Sequence, residues 1–117
     1  MSRAKETYFC LRLVEYTSIP LTLCSILYLL SGYGIISPVF SLVGLTYTIS
    51  VKIHTLPLLR LVTVILAILH LYGGVVVISS RHVRSWKRRR LIKSFTLAMV
   101  SMFLFLIALS ELKMLLT

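Results

Sequence analysis

His70 stands alone in a long apolar stretch, about ten residues before a dense basic run, and that setting makes it the first candidate for chemistry. At 1.5 Å per helical residue it lies roughly 15 Å from that run, near the middle of a bilayer. An ionisable side chain is costly in hydrocarbon, so each one found there is a functional hypothesis. Thr63, Ala67, His70, Gly74, Val77 and Arg81 recur at spacings of three and four, which puts them on one helical face of mostly small side chains. Gly73 and Gly74 remove bulk one turn from His70, so that another helix or a flat cofactor can approach the backbone. A neutral imidazole beside such a groove suits an axial haem ligand, with its nitrogen on the iron. The same face equally suits a hydrogen bond from His70 to a Ser, Thr or Tyr of a neighbouring helix.

Glu15 is the second ionisable group within an apolar stretch, and Arg12 precedes it at the i,i+3 spacing of a neutralising ion pair. A lone early glutamate is also what a proton-coupled exporter needs. Arg81 and His82 sit where the second apolar stretch ends, placed either to snorkel to lipid headgroups or to meet a quinone head. Arg60, Glu111 and Lys113 lie at the ends of apolar stretches, and His54 falls in a connecting segment where nothing constrains it. Cys10 and Cys24 form no metal or redox motif and read as small apolar residues. No nucleophile with its base, no phosphate loop and no HExxH is present, and three carboxylates in the whole chain leave little for acid–base work. Alone, the chain is expected to catalyse nothing.

The elements that carry these residues follow from composition. Of 117 residues, 58% are hydrophobic and 14% charged, with a mean hydropathy of +0.96, values outside those of a water-soluble domain. Three stretches, at about 13–34, 56–78 and 91–112, reach the roughly 20 residues a helix needs to cross hydrocarbon. The expected fold is all-α, an integral membrane three-helix bundle in one membrane domain covering 1–117. Between the first two spans, 35–50 is apolar but short and broken by Ser37, Pro38 and Gly44, so it reads as an external or interfacial connector.

Charge orients the chain. The net charge of +10 would point to nucleic acid in a soluble protein, but here most basic residues fall between two apolar stretches, and no nucleic-acid partner is expected. Arg81, Arg84, Lys87, Arg88, Arg89, Arg90 and Lys93 surround a basic loop at 79–90, and Arg3, Lys5 and Arg12 mark the amino terminus. Lys and Arg favour the cytoplasmic side, so three spans place the N-terminus and this loop in the cytoplasm and the C-terminus outside. A four-span arrangement would translocate the most basic loop. The basic start lacks a small-residue cleavage site and is read as retained. Tyr33, Tyr47 and Trp86 lie near expected interfaces, where amphipathic aromatics are favoured.

At this point the chain resembles the small membrane-anchor subunits of succinate dehydrogenase and fumarate reductase, of the three-span type that pairs with a second anchor. The first span, LVEYTSIPLTLCSILYLL, resembles that family's opening helix. The second, LVTVILAILHLYGGVVVISSRHV, follows its pattern of a histidine, a glycine four residues on and a polar pair at the cytoplasmic end. The resemblance implies that His70 ligates the iron of haem b and that Gly74 makes room beside it. It places Arg81 and His82 where the bacterial family has an aspartate followed by a quinone-contacting tyrosine, so the charge at the first position is reversed. Glu15 stands where some relatives have an arginine near the haem propionates, a role Arg12 would take instead.

The implied function is that of a non-catalytic subunit in a succinate:quinone oxidoreductase of the respiratory chain and tricarboxylic acid cycle. A flavoprotein subunit carrying FAD oxidises succinate, an iron–sulfur subunit relays electrons, and this chain, with its partner anchor, holds haem b and passes electrons to quinone in the plasma membrane. The basic loop would also dock the soluble subunits. Two other classes compete: a small multidrug or cation exporter working as a dimer through Glu15, and a structural subunit of another membrane complex in which His70 only hydrogen-bonds.

Overall fold

The computed structural model describes residues 2–117, and among them every regular element is helical, with no strand. Four α-helices follow one another: α1 (Arg3–Ile36), α2 (Tyr47–His54), α3 (Pro57–His82) and α4 (Trp86–Leu116), with a 3-10 turn over Pro38–Val43 between α1 and α2. Three of them, α1, α3 and α4, are long and apolar enough to cross a membrane. With 34, 26 and 31 residues, they measure about 51, 39 and 46 Å, longer than the ~30 Å of hydrocarbon. Each is therefore longer than the apolar stretch it contains. Large apolar side chains such as Leu29, Ile65 and Phe105 are more than half exposed, as befits surfaces meant for lipid or partner helices rather than water.

The connector and the basic segment differ from a plain reading as loops. Pro38 opens the 3-10 turn and Gly44 closes it at φ 87°, a left-handed conformation that glycine adopts at no steric cost. Thr46 then caps α2 by accepting a hydrogen bond from the Ile49 N–H. At eight residues, α2 is about 12 Å long and crosses nothing, which agrees with a connector between two spans. The segment 79–90, expected as a basic loop, is almost entirely helical: α3 continues to His82 and α4 begins at Trp86, leaving 83–85 as the link. Lys and Arg are good helix formers, so the helices do not end where the hydrocarbon does.

The chain groups into two compact units. One comprises Arg12–His70 and the other residues 2–11 with Leu71–Thr117. In the first, hydroxyls of α1 turn back onto its own carbonyls: Thr17 to Leu13 at 2.7 Å, Ser18 to Val14 at 2.6 Å, and Thr22 to Ser18 at 2.7 Å. Such bonds satisfy groups that lipid cannot, and α1 continues through Pro20. In the second, Cys10, Val76 and Val77 are buried together with Tyr72 against them, so Cys10 is the small apolar residue its sequence setting suggested, while Cys24 is half-buried and both are free thiols. That unit also holds an ion pair between Glu6 and Lys93 and a bond from Arg3 Nη2 to the Ser80 carbonyl at 3.3 Å.

Candidate functional site

The unit Arg12–His70 gathers two histidines, and each is held by a hydroxyl of α1. Thr17, only 5% exposed, places its Oγ1 3.1 Å from Nδ1 of His70. When the Thr17 hydroxyl donates to the Leu13 carbonyl 2.7 Å away, its Oγ1 accepts from a proton on Nδ1 of the imidazole. Nε2 of His70 then bears the lone pair, and no described residue bonds it. An axial ligand has this electronic form, a neutral ring whose second nitrogen is held by a hydrogen bond that fixes tautomer and orientation.

His54 is bound the same way at the other end of α1. Ser31, 1% exposed, brings Oγ within 3.0 Å of His54 Nδ1 while also donating to the Tyr28 carbonyl at 3.1 Å. The edge of the His54 ring meets Tyr28 with centroids 5.2 Å apart and planes at 83°, a favoured aromatic geometry. Gly34 makes this approach possible: a Cβ there would collide with the side chain of Ser50, whose Cβ would be 2.9 Å away, whereas one on Gly32 would meet His54 Cε1 at 3.6 Å, an ordinary van der Waals contact. Ser50 itself is fully buried. Small residues at Ser31 and Gly34, one turn apart, thus receive Ser50 and His54, also one turn apart, and α2 packs against α1 almost backbone to backbone. His54, which the sequence left unconstrained, is held by both a hydroxyl and an aromatic ring. The spacing of Ser31, Gly34, Ser50 and His54 was the available signal.

The remaining candidates are placed as follows. Arg12 and Glu15 form the expected i,i+3 pair at 2.9 Å, with both side chains well exposed at 49% and 62%. Gly74 has open space around it, since an added Cβ would meet nothing within 4 Å. Arg81 is exposed at the end of α3. His82, also exposed, brings Nδ1 3.2 Å from the Ile78 carbonyl, which makes that nitrogen the donor and leaves Nε2 of the neutral ring as an acceptor. A neutral His82 would therefore accept from a hydroxyl, whereas a tyrosine in that place can donate. Among the described residues no group of three or more His, Cys, Asp or Glu could hold a metal ion between them. A haem asks less of this chain, one imidazole with a free nitrogen, and His70 fits that requirement.

Fold and site together define a multi-pass helical membrane protein with polar histidine nodes inside an apolar scaffold. Comparison with known proteins returns no matching family model, no similar curated protein and no similar solved structure.

Proposed function

We propose that this chain is a three-span membrane-anchor subunit of a succinate:quinone oxidoreductase-type complex in the plasma membrane, with His70 as an axial ligand of haem b. The observation that carries this reading is the Thr17–His70 bond: a buried hydroxyl holds Nδ1 and leaves Nε2 available. The haem would supply one-electron redox chemistry. This chain contributes one ligand, and a second anchor subunit contributes the other. Thr17 fixes the tautomer and the direction of the ring, and the open surroundings of Gly74 avoid crowding one turn along α3. Arg12, already paired with Glu15, would offer a cation to a propionate, while Arg81 and His82, exposed at the end of α3, would meet the quinone. The N-terminus and the basic 79–90 segment lie on the cytoplasmic side, where Arg84, Lys87 and Arg88, all exposed, present positive charge to iron–sulfur and flavoprotein subunits.

A purely structural subunit is the second reading, and the same bond favours it, because Thr17–His70 is a complete interhelical contact needing no cofactor. The exporter reading has less support: Glu15 is neutralised by Arg12 rather than held as a buried, protonatable acid, and three helices rather than four are long enough to cross. Purification of the tagged chain from its native membrane in mild detergent separates these readings. The anchor role predicts co-purification of a flavoprotein and a cysteine-rich iron–sulfur protein with succinate-dependent reduction of a quinone analogue. A chain that purifies with neither, and without that activity, overturns it.

A further inference from the structure

Within the unit formed by residues 2–11 and Leu71–Thr117 lies a cavity of about 480 Å³, in the range of ordinary ligand pockets, roughly 300–1,000 Å³. Four cations line it, Arg3, Arg89, Arg90 and Lys93, against one carboxylate, Glu6. Lys93 is consumed by its ion pair with Glu6, so among the described residues three guanidinium groups remain without a counter-charge on the cavity wall. Arg3 spends one nitrogen on the Ser80 carbonyl at 3.3 Å, and Arg90 lies over the Trp86 ring at 5.3 Å. Arg89 is the telling residue. Its Nη2 reaches the Arg84 carbonyl at 3.4 Å, but its Nη1 is buried with no hydrogen-bond partner among the described residues. A buried cationic donor without a partner is costly, and an anionic oxygen is what relieves it.

The occupant's chemistry is narrowed by the rest of the wall and by position. Val76 and the Trp86 ring add apolar surface beside the cations. On α4 the cavity lies where Lys87, Arg88, Arg89 and Arg90 give way to the apolar run beginning at Leu91, the boundary that sits at headgroup level when such a helix crosses a membrane. We propose that this cavity binds the phosphodiester headgroup of one anionic phospholipid, with Arg89 as central donor, Arg3 and Arg90 flanking it, and Trp86 and Val76 meeting the glycerol and upper acyl carbons. The occupant is a discrete lipid rather than the diffuse attraction that any basic surface exerts on an anionic leaflet.

Trp86 is the single tryptophan of the chain, so its fluorescence reports directly on the cavity. The full chain, delipidated in detergent, is titrated with phosphatidylglycerol brominated on its acyl chains, with brominated phosphatidylcholine as the neutral counterpart and inorganic phosphate as a competitor. The site predicts saturable quenching by phosphatidylglycerol at a mole fraction about tenfold below that needed for phosphatidylcholine, a tenfold preference being what one good charge-assisted contact supplies. Arg89→Gln and, independently, Arg3→Gln abolish most of that preference with helical content unchanged, whereas Lys87→Gln, a neighbouring cation outside the cavity wall, leaves it intact. Equal quenching by the two lipids overturns the proposal, as does an equal loss in Lys87→Gln and Arg89→Gln, the signature of diffuse charge. Loss of quenching on adding millimolar phosphate assigns the cavity to a free anion and overturns the lipid; a preference lost only where helicity also collapses does the same.

Discussion

The two histidine nodes on α1 use one device for different ends. Thr17 with His70 and Ser31 with His54 each pair a buried hydroxyl with Nδ1, at 3.1 and 3.0 Å, and each hydroxyl also lies within hydrogen-bond distance of a backbone carbonyl of α1. Around His54 the protein closes in: Tyr28 meets the ring edge-on, Gly32 lies under Cε1, and Gly34 admits Ser50. Around His70 no aromatic ring packs and no second bond forms among the described residues. Enclosure makes His54 a clip that ties a short helix to a long one. His70 is oriented by its one hydrogen bond, with no ring contact beside it among the described residues.

That contrast can be broken most severely at Gly34. Replacement by Leu forces a side chain into the space of Ser50, and overpacking of this kind costs about 1–3 kcal/mol or more. α2 is expected to detach from α1, seen as rapid hydrogen exchange across 47–54, while exchange in α4 is unchanged. Next in size, His54→Ala removes both a hydrogen bond and an edge-to-face contact. Their loss amounts to about 1–2 kcal/mol, measurable as a lower unfolding midpoint in detergent and local exposure of α2. Thr17→Val tests the other node, with an expected loss near ~0.6 kcal/mol and at most ~1.7 kcal/mol; its sharper consequence is a His70 ring free to rotate, visible as broadened imidazole resonances. Smallest of all, Glu15→Gln changes stability by no more than about 0.5 kcal/mol, because the Arg12 partner is exposed and screened.

The sequence carried the spans plainly, because three long apolar runs dictate helices whatever their partners. The Arg12–Glu15 pair and the burial of Cys10 were legible for local reasons, spacing in one and residue type in the other. The extent of the helices was less so, since hydropathy marks the end of an apolar run rather than the end of a helix, and both α3 and α4 continue into the basic 79–90 segment on either side of the 83–85 link. Thr17 was one of several hydroxyls able to meet His70, and only the helix register chooses it. His54 was invisible as a site because its partners Tyr28, Ser31 and Gly32 lie more than twenty residues away on another helix, and long-range contacts of that kind leave only a faint spacing signal.

The difference between the nodes is tested most directly by visible absorption spectra of the purified complex, oxidised and then reduced with dithionite, for the native chain, His70→Ala and His54→Ala. A low-spin b-type haem signal that disappears in His70→Ala and persists in His54→Ala is the predicted result. A native complex without haem, or a signal unchanged by His70→Ala, would contradict it and leave both histidines as clips.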